Sequence, residues 1–457
     1  MSLPSLLFRA EPTGVKLDPG VFADLQLTKI LSSGTLETIS MLCSPDDLPF
    51  RQDVYRTIAP RLPFFGELTA AAQHLNSAYG AYSTARSETE RDYLYVRLIL
   101  TAINFADLAA VTPGDSELIA EFRGALSDMF SAERRSADVL STAANSVLNL
   151  GFLVKGDNLK VYRRGGDKSI IERLKVAADA LGLGLRLDSR KLNEQLNTRV
   201  INAVSALFPE EFKAFSEFRA EFQSEFNTDL LKYCNELTLY TEVATLYANS
   251  EIEHSFPSFV ADKSLEATDL RDLSLLFKER RGIVANDVFF TPSEPFFYLS
   301  GANGGGKTTY LRSIGIAAVL ARSGLPVPAK MMSTCVFGNV LTHFPRNEHG
   351  ESRLEDERRR AAEIAATHGG CSLVLLNETF STTTIEKASA LTAEFAASLA
   401  ESGCITLYIT HQLPENSALP VLTVAVDGAD SERTYKVVRS SGKTSSYAAD
   451  ILRKYGF

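Results

Sequence analysis

The sequence GANGGGKT at residues 301–308 is the stretch that decides how this chain folds. An apolar run at 296–300 leads into it, and residues 310–322 follow it with apolar side chains at helical spacing. A strand, a glycine-rich turn and a helix form the context in which a G-x-x-x-x-G-K-T sequence binds phosphate. The glycines let successive backbone N–H groups approach an anion without a Cβ in the way, and the helix adds the positive end of its dipole. The sequence therefore predicts a phosphate-binding loop.

Two side chains of this loop indicate what accompanies the phosphates. Lys307 is placed to reach the β- and γ-phosphates of a nucleotide, and the Thr308 hydroxyl is placed to coordinate Mg²⁺. The predicted ligands are therefore ATP and Mg²⁺. The predicted phosphate contacts are Gly301, Ala302, Asn303, Gly304, Gly305, Gly306, Lys307, Thr308 and Thr309.

Composition indicates the class of protein. With 457 residues, 45% of them hydrophobic and 23% charged, the chain has the balance of a soluble globular protein and the length for two or three domains. No apolar run reaches the length of a membrane span, and the first residues lack the pattern of a signal peptide. Five scattered cysteines without paired spacing argue against a disulfide framework or a zinc site. We therefore expect a cytoplasmic protein with no membrane partner.

The net charge of −9 argues against a compact protein that binds DNA without sequence preference, because phosphate neutralisation supplies most of that affinity. An acidic total still permits a local basic patch. Short basic clusters occur at 134–135, 163–168, 280–281 and 358–360. Such a cluster is more often a solvated face than a nucleic-acid site.

Two kinds of pattern divide the chain near residue 257. Before it, long windows carry apolar residues at helical spacing, and one hairpin signature with its turn at 156–158 interrupts them. After it, short apolar runs alternate with helical segments, which predicts an α/β fold with a mostly parallel sheet. We therefore predict a mostly α-helical, lever-like domain with one β-hairpin at 1–257 and an α/β domain at 258–457. The predicted helices of the first domain are 84–106, 116–148, 169–181, 193–207 and 210–248, and the predicted strands of the second are 282–290, 296–300, 335–342, 371–377, 405–410, 422–426 and 434–438.

Polar residues end two of these predicted strands. Asn377 and Glu378 stand where ATPases with a phosphate loop place an acidic pair beside the nucleotide, and Glu378 is positioned to orient and polarise the attacking water. Asn377 takes the place of the common Asp, so we expect weaker Mg²⁺ affinity or slower turnover, because its amide oxygen adds no negative charge. His411 follows the strand at 405–410 and can hydrogen-bond the γ-phosphate or the water. It is the one histidine to which the sequence assigns a chemical role.

These motifs resemble those of the MutS mismatch-repair ATPases, a branch of the ABC-type ATPases. The loop and following helix at 300–312, and the sequence GLPVPA at 324–329, are similar to the family's. So are the run at 373–378, as Walker B, and the run at 380–384, as the D-loop, while His411 falls on the family's switch histidine. The resemblance covers residues 258–457 and implies a P-loop ATPase domain of the ABC/MutS type.

The resemblance also implies how the base is bound. The run IVAND at 283–287 resembles the short strand that packs against adenine in the family. Ile283 and Val284 would then flank the adenine, and Asn286 would be a polar group that orients the backbone.

A second subunit is implied as well. The sequence HGES at 349–352 lies where the family's ABC signature is expected, and in that family the signature of one subunit contacts the γ-phosphate held by the other. We therefore expect a homodimer with a composite site in which Ser352 acts in trans, although the helix at 353–360 is more charged than a usual signature helix. The expected catalytic residues are Lys307, Ser352, Glu378 and His411.

The resemblance has a limit before residue 258. MutS proteins that read mismatches carry a separate N-terminal domain with a Phe-x-Glu wedge, for which this chain is too short. The four Phe-x-Glu sequences here lie in helical or linker contexts, so we expect no mismatch-reading wedge. The chain resembles the short MutS-related subgroup in which core-like helices join the ATPase directly.

The predicted function is ATP binding and hydrolysis at a composite dimer site, coupled to movement of the helical levers on DNA, in repair or recombination. One alternative is a nucleotide-gated protein-interaction switch with slow hydrolysis and no direct DNA binding, which the acidic charge and the missing wedge favour. The ATPase subunit of a transporter is disfavoured, because the helical half shows no apolar coupling surface.

Overall fold

The computed structural model describes most of the chain in two compact units. We call Met1–Ser5 with Pro60–Thr241 the helical unit, and Leu6–Ala59 with Glu242–Phe457 the α/β unit. The described residues are 5–9, 16–114, 117–127, 129–155, 158–163, 201, 204–222, 226–277, 282–345, 353–367, 369, 371–380, 385–411, 413–414, 417–427 and 432–440.

The helices, numbered in chain order over these residues, are α1 (Pro19–Asp24), α2 (Ser33–Ser40), α3 (Asp47–Ile58), α4 (Leu62–Ser83), α5 (Glu88–Ala110), α6 (Glu117–Ser127), α7 (Arg134–Ser146), α8 (Pro209–Glu221), α9 (Asp229–Ala248), α10 (Lys307–Arg322), α11 (Arg353–Thr367) and α12 (Ile385–Ser402). The strands are β1 (Leu150–Lys155), β2 (Asn158–Arg163), β3 (Ser258–Phe259), β4 (Leu265–Leu270), β5 (Asn286–Phe290), β6 (Phe296–Ser300), β7 (Met331–Thr334), β8 (Asn339–His343), β9 (Ser372–Asn377), β10 (Ile405–Ile409), β11 (Val421–Asp427) and β12 (Glu432–Arg439).

The helical unit is built around α5. Ser87 caps this helix, because its hydroxyl accepts a hydrogen bond from the N–H of Glu90 at 3.2 Å. Apolar side chains of α5, among them Tyr93 and Val96, are buried in one cluster with Phe215 of α8. By length and composition α5 could cross a membrane, but 61% of its most apolar 18-residue window is buried inside the fold, as in the core helix of a soluble protein.

The predicted hairpin is confirmed. Strands β1 and β2 pair antiparallel from Leu150 with Arg163 to Lys155 with Asn158. The helices follow the sequence pattern less closely, because the windows at 116–148 and 210–248 each form two helices, α6 with α7 and α8 with α9. The window at 169–181 lies outside the described residues, and most of 193–207 does too.

The expected α/β class with a mostly parallel sheet is confirmed. The larger sheet has the order β12-β11-β6-β10-β9-β8, in which only the edge strand β12 runs antiparallel to its neighbour. Its central strands β6, β9 and β10 are buried along their whole length, as expected of strands covered on both faces. A second sheet has the order β3-β7-β4-β5. The sequence pattern missed β3, β4 and β7.

The N-terminal segment packs on the larger sheet. The Thr342 hydroxyl of β8 donates to Asp24 of α1 at 2.7 Å. Gly315 of α10 faces Leu25, and an added Cβ would lie 2.4 Å from that side chain. Thus residues 6–59 belong with the α/β unit, whereas the sequence pattern grouped all of 1–257 together; the reason is that these first helices cover the edge strand and α10.

Two cysteines depart from the sequence expectation. Cys335 and Cys371 are joined by a disulfide, whereas Cys43, Cys234 and Cys404 are free and buried. Cys335 follows β7 and Cys371 precedes β9, and their spacing along the chain gives no sign that pairing of β8 with β9 brings them together.

Candidate functional site

The glycine-rich loop connects β6 to α10. Gly301, Gly304 and Gly306 have φ angles of +126°, +71° and +96°, a region that side chains with a Cβ rarely adopt. Gly306 is the N-cap of α10, so the first N–H groups of that helix face the loop. The glycines thus permit the backbone course that lets amide groups surround an anion.

Lys307 folds back over this loop. Its Nζ donates to the carbonyl oxygens of Gly301 at 2.6 Å and Ala302 at 3.0 Å. Burial lowers the pKa of Lys307, while the negative charge of Glu378 acts in the opposite direction. The ammonium group is therefore held in the loop, next to the carboxylate that ends β9.

Glu378 and His411 meet at the carboxyl edge of the larger sheet. They follow β9 and β10, which are parallel neighbours, so the two side chains leave the sheet at the same edge. The Nε2 atom of His411 lies 3.1 Å from a carboxylate oxygen of Glu378. This hydrogen bond lowers the pKa of Glu378, burial opposes the shift, and the charges of His411 and Lys307 add to it. Glu378 is therefore held as a carboxylate.

A cavity of about 420 Å³ lies beside the loop. This is the size of a small-molecule site in proteins. The predicted site residues in its wall are Ile283, Val284, Asn286, Asn303, Gly304, Gly306, Lys307, Thr308, Thr309 and Glu378. The structure thus brings the predicted phosphate, base and water-polarising residues to one space. The wall does not include Gly301, Ala302, Gly305, Asn377 or His411, and Ser352 lies outside the described residues.

Asn286 bonds the backbone of β12. Its amide Nδ2 donates to the carbonyl oxygen of Tyr435 at 3.0 Å, and its Oδ1 accepts the N–H of Val437 at 2.8 Å. The carboxamide therefore acts as an extra peptide group that fixes β12 next to the cavity.

The cavity wall also contains seven residues to which the sequence assigned no role: Leu270, Asp272, Leu275, Gly282, Tyr310, Ser313 and Tyr435. Asp272 is buried and pairs with Arg312 of α10 at 3.1 Å; burial raises the pKa of Asp272 and the Arg312 charge opposes that shift. Tyr435 has a φ of +56° and its ring lies beside Gly306. Asp272 and Tyr435 belong to no motif, so no local signal marked them, whereas Tyr310 lies in the loop and helix segment at 300–312.

The residues present fit Mg²⁺. The Oδ1 atom of Asn377 is buried without a hydrogen-bond partner within the described parts of the chain, as an unused ligand atom would be. Thr308 lines the cavity. Among the described residues, no group of three or more His, Cys, Asp or Glu side chains could hold a metal ion by itself. One or two protein oxygens completed by phosphate oxygens and water are the usual arrangement for Mg²⁺.

Comparison with known proteins agrees with this geometry. The family described as MutS domain V matches residues 297–443, which contain the loop, β9 with Glu378 and β10 with His411.

Similar proteins come from several kingdoms. The DNA mismatch repair protein MutS of Thermotoga neapolitana is 26% identical over 58% of this chain and 35% of its own length. The mitochondrial DNA mismatch repair protein MSH1 of Arabidopsis thaliana is 35% identical over 26% of this chain and 11% of its own length. DNA mismatch repair protein MutS 2 of Halobacterium salinarum is 29% identical over 38% of this chain and 22% of its own length. The chain thus spans about a third or less of these relatives, and over residues 297–443 it is similar to the MutS-related protein family.

Proposed function

We propose that this chain is a MutS-like ATPase that binds and hydrolyses ATP at a composite dimer site and couples hydrolysis to movement of its helical part on DNA, in repair or recombination. One observation carries the proposal: Lys307 and Glu378 share a cavity wall with the predicted base contacts Ile283 and Val284. A nucleotide bound there would place its phosphates on the loop and its terminal phosphate toward Glu378.

Each residue then has a role set by its chemistry. The Glu378 carboxylate, held ionised by His411, accepts a hydrogen bond from the attacking water and aligns it. The Lys307 ammonium leaves its carbonyl partners for the phosphate oxygens, which carry more negative charge. Thr308 and Asn377 would hold Mg²⁺, which when bound neutralises charge on the β- and γ-phosphates. Ser352 of a second copy would complete the site.

Lys307→Ala tests the nucleotide site. We expect the variant to lose ATP binding, measured by fluorescent-nucleotide titration, and phosphate release, because the loop loses its cation. Lys330→Ala is the matched control, since Lys330 is an exposed lysine of the same unit at the start of β7. ATP binding and turnover unchanged in Lys307→Ala would overturn the proposal.

DNA binding needs a separate test. Fluorescence anisotropy with plain, mismatched and branched duplexes at low salt should show binding that ATP strengthens or releases. If none of the three duplexes binds with or without nucleotide, the DNA part of the proposal fails while the ATPase part stands.

The second candidate is a nucleotide-gated switch that binds a protein partner and hydrolyses ATP slowly. The observation that favours it is that arginines of the basic clusters have acidic partners: Arg134 with Asp107, Arg163 with Glu211, Arg359 with Glu363 and Arg360 with Asp24. Their charge is therefore partly neutralised and less available to phosphates. ATP-dependent capture of one protein, together with no DNA binding, would favour this candidate.

A further inference from the structure

The turn that follows β9 has an unusual backbone. Glu378 and Phe380 have φ angles of +54° and +66°, which place two residues with side chains in the left-handed region. Such a conformation persists only when the surrounding contacts hold it, and it is concentrated at functional sites. The residue between them, Thr379, is therefore the point at which the turn has to be held.

Thr379 is held by the two strands that flank β9. Its side chain is 4% exposed, and its Oγ1 lies 3.2 Å from Nδ1 of His343, the last residue of β8. On the other side, the Tyr408 hydroxyl of β10 donates to the Thr379 carbonyl oxygen at 3.2 Å, and the Glu378 N–H donates to the Ile409 carbonyl oxygen at 2.9 Å. The bonds from β10 fix the main chain, and the bond from His343 fixes the Thr379 side chain.

His343 is buried at 1% exposure and lies opposite Leu376 in β9. A histidine is a costly choice for such a position, because its ring nitrogens need hydrogen-bond partners once they are removed from water. It is not among the residues that line the cavity. Its Nδ1 contact to Thr379 links the end of β8 to the turn that directs Glu378.

We propose that His343 is a positioning residue for Glu378. Its hydrogen bond to Thr379 sets the strained turn so that the Glu378 carboxylate points to His411 and the cavity. This role rests on the proposed ATPase function and adds a second histidine to the site, one that acts through the backbone of Glu378.

The test compares five variants with the wild-type protein by kcat and KM for ATP, nucleotide binding and thermal melting. His343→Ala and Thr379→Val each remove the bond, so kcat should fall by at least about tenfold, while ATP affinity changes by less than about twofold. His343→Asn can place an amide group near the position of Nδ1 and should restore most of kcat, whereas His343→Gln, which reaches toward Nε2, should not. The double variant His343→Ala/Thr379→Val should be no slower than the slower single variant, because both lose the same bond.

Thr406→Val is the matched control. Thr406 is also a buried threonine, and its hydroxyl donates to the Cys404 carbonyl oxygen at 3.2 Å, at the end of β10 that lies away from the turn. It should lower the melting temperature as Thr379→Val does but leave kcat unchanged.

Each outcome decides the question. If kcat of His343→Ala and of Thr379→Val stays within about twofold of the wild-type value, the role of His343 is overturned while the proposed function stands. A loss of kcat that follows melting temperature across all variants, Thr406→Val and His343→Asn included, would show a merely structural role and overturn it as well. A wild-type protein that binds ATP without hydrolysing it would overturn the proposed function, and the role with it.

Discussion

Glu378 is the residue at which the electrostatics of the site converge. It accepts a hydrogen bond from His411 and is half-buried at the cavity wall, and the positive charge of Lys307 lowers its pKa further. These contacts favour the carboxylate over the carboxylic acid. A group that must be ionised to align water is therefore kept ionised by its own neighbours.

His411→Ala tests this at the residue scale. The hydrogen bond from His411 is the largest cause of the lowered pKa of Glu378, and burial acts against it. Without the imidazole the pKa rises, so turnover should be lost at a higher pH on the acid side than in the wild type. The measurement is kcat against pH from about 4 to 8, with folding checked by circular dichroism.

His254→Ala is the control for that profile, because its ring stacks on Tyr247 at 4.1 Å and not on a residue of the cavity. If kcat falls at the same acid pH in the wild type and in His411→Ala, the His411 hydrogen bond is not what lowers the pKa of Glu378.

Asn377 gives a second prediction at this scale. Asn377→Asp adds a negative charge at a buried position whose Oδ1 has no hydrogen-bond partner in the part of the chain that is described. The Mg²⁺ concentration for half-maximal turnover should fall by about tenfold, which corresponds to ~1.4 kcal/mol. Asn235→Asp makes the same change of charge at an exposed site of the helical unit and should have no effect. An unchanged Mg²⁺ dependence would remove Asn377 from the metal site.

At the scale of elements, a buried ion pair joins α1 to the charged helix α11. Arg360 and Asp24 are each about 8% exposed, with 3.5 Å between Nη2 and Oδ2, and Arg360 also donates to the Phe344 carbonyl oxygen at 2.9 Å. These contacts give a structural role to Arg360, one of the arginines that make α11 more charged than the expected signature helix. The pair secures α11 beside the edge strand β8.

Asp24→Asn should therefore destabilise the fold. It leaves a buried guanidinium without its carboxylate, which costs about 3 kcal/mol in the free energy of unfolding. Asp53→Asn removes the partner of Arg56 in an exposed pair and should cost less than about 0.5 kcal/mol. Urea unfolding with equal m-values would measure both. If both variants lose the same small amount of unfolding free energy, the Asp24–Arg360 pair contributes little to stability.

Local pattern predicted the elements that carry the chemistry. The loop, β6, β9 and β10 were readable because a buried strand, a polar strand end and a glycine-rich turn are signals within a few residues. The partnership of Asp24 with β8 was not readable, because Thr342 and Asp24 are 318 residues apart in the chain. The role of His343 could not be predicted for the same reason, because it depends on a contact with Thr379, which follows the neighbouring strand β9.

At the scale of the whole molecule, the composite site remains a proposal that subunit mixing can test. Lys307→Ala removes the phosphate-loop cation, and Ser352→Ala removes the hydroxyl expected to act on the neighbouring subunit. In a dimer that contains one subunit of each kind, one site carries both defects and the other site is intact. If subunits exchange freely, an equal mixture of two inactive variants should regain about a quarter of wild-type turnover, because half of the dimers are mixed and each has one working site. A mixture that stays as inactive as its components, although mass spectrometry shows mixed dimers, would mean that each subunit hydrolyses ATP with its own residues alone.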